Sequence, residues 1–274
     1  GGMDLVLDFA FPLPVEVICS MLGIDGSERE RLQEWSREIL TPLEPTATPD
    51  MIAAGNRAVS EFTAFLRDLL AEKRRNMSRG VRVGDILEDL IESQESEDDP
   101  LTEDELVQNC ILLLNGGHET TTNLVGNGMK AMFDNPDQLQ KLRDAPSLIA
   151  GAIEEMLRFD SPLQIGNRGI AEPFEVGGIT LAPGTQLLTS IGGANRDPDA
   201  FDNPDGFDIT RTPNKHLAFA AGIHACIGAP LARMEGTIAI GKLVAAFPNL
   251  QRTGPISRGG RARFRGLTSM PVSI

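Results

Sequence analysis

Apolar residues recur at helical spacing from Phe9 to Phe159, interrupted by prolines and glycines, and the pattern predicts a series of helices. Phe9 to Leu22 reads as one helix, with Pro12 and Pro14 near its start and Gly23 as its stop. Ser27 to Leu40 reads as a charged helix, and Pro42, Pro45 and Pro49 mark the loop after it. Asp50 is expected to cap a long amphipathic helix reaching Asn76, with Val59, Phe62, Phe65, Leu66 and Leu69 on one apolar face. Asp85 to Ile91 gives a short helix, and the acidic run Glu92 to Asp99 a solvated connector.

Thr102-Glu103-Asp104-Glu105 fits a capping box. The apolar pattern beyond it, through Leu106, Cys110, Leu113, Leu124 and Met132, predicts one long helix ending at Asn135-Pro136. Gly116 and Gly117 fall near its middle, where each glycine costs about 1 kcal/mol relative to alanine. Two compensations are open: close helix packing, or a kinked and opened turn against which a bulky ligand lies. Pro136 and Pro146 open two further helices, the second ending before Pro162.

The pattern then changes to strands over Leu163 to Ile170, a glycine-turn hairpin from Phe174 to Leu181, and Gln186 to Ile191. Asn195 to Asn214 is a long irregular segment, of a length that is usually functional or clamped by specific contacts. Ile227 to Phe247 returns as a helix ended by Pro248. The fold class expected is mainly α with a small β region, as a single domain over residues 1–274.

Composition narrows the function. Lys plus Arg total 25 against 39 Asp plus Glu, and the resulting charge of −14 disfavours nucleic acid and anionic membranes as partners. Asp4 and Asp8 stand where a secretory signal would carry bases, and no stretch approaches the apolar length of a membrane span, so the expected location is cytoplasmic. Cys19, Cys110 and Cys226 are odd in number, far apart and free of any C-x-x-C, which suggests neither a disulfide framework nor a zinc ribbon. There is no Tyr and one Trp, so an aromatic lining would have to come from the 12 Phe. Arg252, Arg258, Arg261, Arg263 and Arg265 have no acid between them; they could meet an acidic electron donor or RNA, or form a solvated, partly hairpin C-terminus.

The stretch richest in chemistry is Phe219 to Gly228, directly before the helix from Ala229. A cysteine at a helix start lies near unpaired N–H groups and the positive end of the dipole, and both favour thiolate. Gly222 and Gly228 would let the backbone pass close to a flat ligand. Cys226 is therefore a candidate soft, anionic metal ligand, the alternative being a buried cysteine in a glycine-rich turn. Glu155 and Arg158 are three residues apart and can pair along one helix face, where a surface pair would be worth about 0.2–0.5 kcal/mol.

Phe219, Gly222, His224, Cys226 and Gly228 form F-x-x-G-x-H-x-C-x-G, which resembles the haem-binding loop of the cytochrome P-450 haem-thiolate monooxygenases. Three further segments stand in the order that family requires. Gly116-Gly117-His118-Glu119-Thr120 is similar to its oxygen-activation motif, Glu155-Met156-Leu157-Arg158 to its E-x-x-R pair, and Asn203 to Arg211 to the loop before its cysteine. The resemblance implies haem b (iron protoporphyrin IX) between the long helix and the Cys226 loop. Cys226 would be the axial thiolate, with Phe219, Gly222 and Gly228 shaping its loop. Gly116 and Gly117 would leave space for oxygen, and Glu119 and Thr120 would be the acid–alcohol pair that delivers protons to it. Arg168 and His224 would hold the propionates, and Arg211 would join Glu155 and Arg158 in a network supporting the cysteine loop.

The implied activity is insertion of one atom of O2 into an apolar small-molecule substrate, with electrons from a ferredoxin- or flavin-type donor and no role for nucleic acid or membrane. Two departures from the family pattern stand out. Ala220 replaces a glycine usual in the family's loop, and the resemblance spans nearly all of this chain but only the later portion of the family, as if truncated at the N-terminus. Two rival functions stand beside this one: a truncated, catalytically incompetent fragment acting at most as an interaction module, and a peroxide-dependent haem-thiolate enzyme. The Glu119–Thr120 pair favours the O2 route over the second.

Overall fold

A computed structural model describes residues 1–96 and 100–274, in two compact units. One unit is Leu7–Thr122; the other is Gly1–Val6 together with Asn123–Ile274.

The Leu7–Thr122 unit is helical. Helix α1 (Pro12–Leu22) opens at the first proline, not at Phe9, and Gly23 ends it in the left-handed conformation, φ 62°. Helix α2 (Arg29–Leu40) comes after a tight turn over Gly26–Glu28. Helix α3 (Pro49–Ser78) is capped by Thr48, whose hydroxyl accepts from the Met51 amide, and not by Asp50. The correction has a plain cause: Pro49 takes the first helical position, where its missing N–H costs nothing, so the cap must precede it. Helix α4 (Ile86–Ser96) outruns the expected short helix and absorbs the start of the acidic run; Glu97 to Asp99, the rest of that expected connector, lie outside the described residues. Asp85 caps it by accepting from the Glu88 amide at 3.0 Å.

Helix α5 (Glu103–Asp134) begins as the sequence predicts, with Thr102 and Glu105 exchanging bonds: each backbone amide donates to the other's side chain, at 2.8 and 3.3 Å. The core of this unit gathers Val15, Ile18 and Leu22 of α1, Leu32 and Trp35 of α2, Phe62 and Leu66 of α3, and Leu106, Cys110 and Leu114 of α5. Trp35 stacks on Phe62 with ring centroids 5.1 Å apart.

The second unit packs α6 (Pro136–Asp144), α7 (Ile149–Phe159) and α9 (Ala229–Ala246) around Leu139, Leu142, Ile153, Met156, Leu157, Ile240 and Leu243. A single turn over Pro146–Leu148 precedes α7, so the proline opens that turn and not the helix itself. Gly236 lets α9 approach closely: a β-carbon there would sit 3.2 Å from Ile153 of α7. The strands form small antiparallel pieces. Strand β2 (Ile165–Gly169) pairs with β5 (Gln186–Ser190), and β3 (Phe174–Val176) with β4 (Ile179–Leu181) across Gly177 and Gly178, both at positive φ. The short helix α8 (Ile191–Ala194) comes directly after β5.

At the C-terminus, β7 (Ser257–Arg258) pairs with β8 (Leu267–Ser269), while β9 (Pro271–Ser273) lies between β6 (Gln251–Arg252) and β1 (Gly2–Asp4). The C-terminus is partly hairpin and largely exposed, as one of the two readings expected, with Arg252 and Arg265 exposed; three of its arginines also have internal partners. Arg252 pairs with Asp134 at 2.8 Å, Arg258 with Asp160 at 3.1 Å, and Arg263 donates to Asn167 at 2.8 Å.

No turn of α5 opens at Gly116–Gly117; the helix is continuous. The two glycines differ in what surrounds them. A β-carbon on Gly117 would fall 2.4 Å from the buried Ile18, so close packing accounts for it, whereas one on Gly116 would meet nothing within 4 Å among the described residues. Gly116→Ala should therefore stabilise the chain against urea by about 1 kcal/mol through helix propensity. Gly117→Ala should destabilise it by about 1 kcal/mol, because overpacking against Ile18 outweighs the same gain. Equal shifts in the two unfolding midpoints would refute this division.

Candidate haem-thiolate site

Helix α7 supplies the scaffold of the site. Its last two turns present Glu155 and Arg158, three residues apart and both wholly buried, so the pair is no surface ion pair. Arg158 meets Glu155 through two parallel bonds of 2.8 Å. Its other donors go to the carbonyls of Asn195 at 2.9 Å, Pro204 at 2.8 Å and Gly206 at 2.9 Å. All five guanidinium N–H groups are thereby used. Arg211 joins as expected, donating to Glu155 at 3.1 Å and to the carbonyls of Asp202, Asn203 and Gly206. Glu155 also accepts from the Asp208 amide at 2.9 Å and from Asn214 at 3.1 Å. The irregular segment from Asn195 to Asn214 is thus fastened to one helix turn.

Asn195, wholly buried, carries the connection onward. Its amide group donates to the Ser161 hydroxyl at 2.8 Å, and its oxygen accepts from the Leu217 amide at 2.7 Å, at the entrance of the cysteine loop. Within that loop the Cys226 amide donates to the Phe219 carbonyl at 2.9 Å, and the Cys226 carbonyl accepts from Ala229, the first residue of α9. Gly222 sits at φ 66° with open space where a β-carbon would be, and a β-carbon on Gly228 would lie 3.8 Å from the Cys226 sulfur. Cys226 is exposed, whereas Cys19 and Cys110 are buried, and burial pushes the Cys110 thiol up to about 11. Of the three, only Cys226 is placed to meet a ligand.

A second set of contacts reaches this loop from Glu154. Arg233 of α9 grips its carboxylate at 2.7 and 3.0 Å, and His216 Nε2 lies 3.1 Å away. Burial alone would raise the Glu154 carboxyl; hydrogen bonds from His216 and Arg233, with their charges, bring it down instead to about 2. Sequence reading missed Glu154, His216, Arg233 and Asn195. The available signals were the paired acids at the head of E-x-x-R and an arginine in the second turn after the cysteine.

The remaining predicted residues fall in two places. Arg168, on β2, donates to its neighbour's carbonyl at 2.6 Å, and among the described residues no carboxylate pairs with it; His224 is exposed in the cysteine loop. In the Leu7–Thr122 unit, Glu119 and Thr120 are half-buried on α5, with the Thr120 hydroxyl donating to the Gly116 carbonyl at 2.6 Å. His118, between glycine and acid, is buried against Ser36, which its Nδ1 approaches at 3.2 Å, and burial lowers its imidazole to about 4.

The model of the family described as Cytochrome P450 matches residues 43–255. The chain belongs to the cytochrome P450 family. A biotin biosynthesis cytochrome P450 of Bacillus subtilis (strain 168) is 38% identical to it, over 99% of this chain and 67% of that protein. Cytochrome P450 107B1 of Saccharopolyspora erythraea is 40% identical, over 98% of this chain and 64% of that protein. A crystal structure of P450BioI, in complex with an acyl carrier protein ligated to hexadec-9Z-enoic acid, aligns with a TM-score of 0.93 at 37% identity, covering 100% of this chain and 69% of that one. The chain thus spans about two thirds of the length of the curated P450s it matches.

The P450 family binds haem, and the residues present suit it. Cys226 offers an exposed sulfur, the glycines around it leave room for a flat ring, and the Arg168 guanidinium and the exposed His224 imidazole have no carboxylate partner among the described residues. Among the described residues no three His, Cys, Asp or Glu side chains gather around one point, so an iron at Cys226 would need a macrocycle to supply further ligands. This P450's departure at Ala220 has a structural cost: the residue stands at φ 57°, the left-handed region that penalises a β-carbon by about 1–2 kcal/mol. Ala220→Gly should raise stability against urea by about 1 kcal/mol; an unchanged or lowered midpoint would show that the turn carries no such strain.

Proposed function

We propose that this chain is the haem-bearing portion of a P450 monooxygenase that inserts one oxygen atom of O2 into an apolar organic substrate. The observation that carries the reading is Cys226: an exposed thiol in a glycine-lined loop before α9, its backbone fixed through Phe219 and its loop entrance through Asn195. Haem b, when bound, supplies oxygen activation and transfer, and the protein supplies ligand, placement and protons.

Each residue then has one task. The Cys226 sulfur holds iron as thiolate, and Arg168 and His224 neutralise the propionates. The absent side chain of Gly116 leaves room on α5, where Thr120 keeps its oxygen open to accept while its proton rests on the Gly116 carbonyl. Glu119, the next acid on that helix, resupplies protons to the Thr120 hydroxyl, a task that supports O2 over peroxide as oxidant. Two electrons per turnover come from a ferredoxin- or flavin-type donor. Among the described residues no helix is long and apolar enough to cross a membrane.

A reduced, carbon-monoxide difference spectrum of the haem-supplemented chain tests the ligand. The unaltered chain and Cys110→Ser should both show the strongly red-shifted thiolate band, and Cys226→Ser should lose it. An unchanged band in Cys226→Ser would overturn the assignment.

A further inference from the structure

We propose that Glu154 is a positioning residue that clasps the two ends of the cysteine loop to α7, and so sets where the Cys226 sulfur is presented. The inference rests on reading Cys226 as the haem ligand and assigns a separate task to the acid beside Glu155. Glu155 fastens the segment from Asn195 to Asn214; Glu154 fastens the chain from His216 to Arg233.

The geometry is that of a clasp. On one side, His216 opens the loop, and on the other, Arg233 lies in the second turn of α9, beyond the cysteine. Both end on the Glu154 carboxylate, His216 at 3.1 Å and Arg233 through two bonds of 2.7 and 3.0 Å. Tying both ends of the intervening chain to one group removes loop entropy that neither contact would remove alone. The imidazole orientation is fixed from its other side, where Nδ1 accepts from the Ala218 amide at 3.2 Å. Nδ1 is therefore the acceptor nitrogen and Nε2 carries the proton given to Glu154.

The clasp bears on the cysteine through Phe219. The Arg233 guanidinium lies 4.5 Å over the centre of the Phe219 ring, and the His216 ring centre is 6.0 Å away on a tilt. The same residue's carbonyl receives the Cys226 amide at 2.9 Å. Losing the carboxylate frees His216 and Arg233 together, so the Phe219 ring loses both of its orienting partners while its carbonyl is what orients Cys226. The His216 side chain is only 3% exposed, so solvent cannot readily replace Glu154 there.

Hydrogen exchange on the full chain without haem reads the clasp, and alkylation of Cys226 with subsequent peptide mass analysis reads its consequence. In Glu154→Ala, the amides of Ala218 and Cys226 should exchange about tenfold faster, the equivalent of one lost charge-assisted hydrogen bond, and Cys226 should alkylate at a changed rate. The Asp208 amide, held by Glu155, should keep its protection. Glu154→Gln, which retains an acceptor for His216 but not the charge for Arg233, should fall between. Unchanged exchange at Ala218 and Cys226, or equal acceleration at Asp208, would overturn the proposal. If Glu154→Ala fails to fold, the same comparison in Arg233→Met, at a half-exposed position, decides it. The carbon-monoxide band of the unaltered chain reports separately on Cys226 as ligand, so a failure of that reading and a failure of the clasp are told apart.

Discussion

A glutamate and an arginine, both wholly buried one turn apart on α7, are the constraint on which the candidate haem site depends. Removing two charges from water costs several kcal/mol per ion, and this cost is offset only when geometry is good and every remaining donor is used. Here Arg158 has no spare donor, and three of its five bonds go to the backbone of a segment without helix or strand. Carbonyls buried without a ladder would each be a penalty. The arginine removes those penalties at the same time as it neutralises Glu155, so the ion pair and the irregular segment stabilise each other and neither is sound alone.

From that anchor the order passes along the chain. Asn195 turns a backbone bond from Arg158 into a side-chain bond to Leu217, and the loop so begun ends at Cys226 and the first turn of α9. The same helix α7 therefore fixes the approach to the cysteine through Glu155 and its base through Glu154. A ligand atom must be held to a fraction of an ångström to serve an iron, and a loop rich in glycine and alanine cannot do that by itself. Its rigidity is borrowed from a helix.

Much of this was legible from residues that act locally. Gly23 ends α1, Thr102 and Glu105 cap α5, and the glycine pair at 177 and 178 turns the hairpin as predicted, because each signal works within a few residues. The ordered set of motifs around Cys226, Glu119 and Arg158 indicated the family, which the match over residues 43–255 bears out. The rest was not legible locally, because a distant partner decides it. The spacing of Glu155 and Arg158 alone allowed an ordinary i, i+3 surface pair, and only the family resemblance suggested a network with Arg211; the burial comes from carbonyls some forty residues later. At Gly117 close packing and an opened turn both stayed open, because Ile18, which takes its side-chain space, lies on another helix. The pairing of Gly2–Asp4 with Pro271–Ser273 joins opposite ends of the chain, and nothing in a three-residue strand announces its partner.

The most direct test of this account is the unfolding free energy of Arg158→Lys, measured in urea against the unaltered chain. Lysine keeps the charge but carries three donors on one atom, which cannot reach Glu155 and three separate carbonyls together. The account predicts a loss of about 3 kcal/mol, in the range for breaking a buried, hydrogen-bonded pair. A change within about 0.5 kcal/mol, as for an ordinary surface substitution, would contradict it.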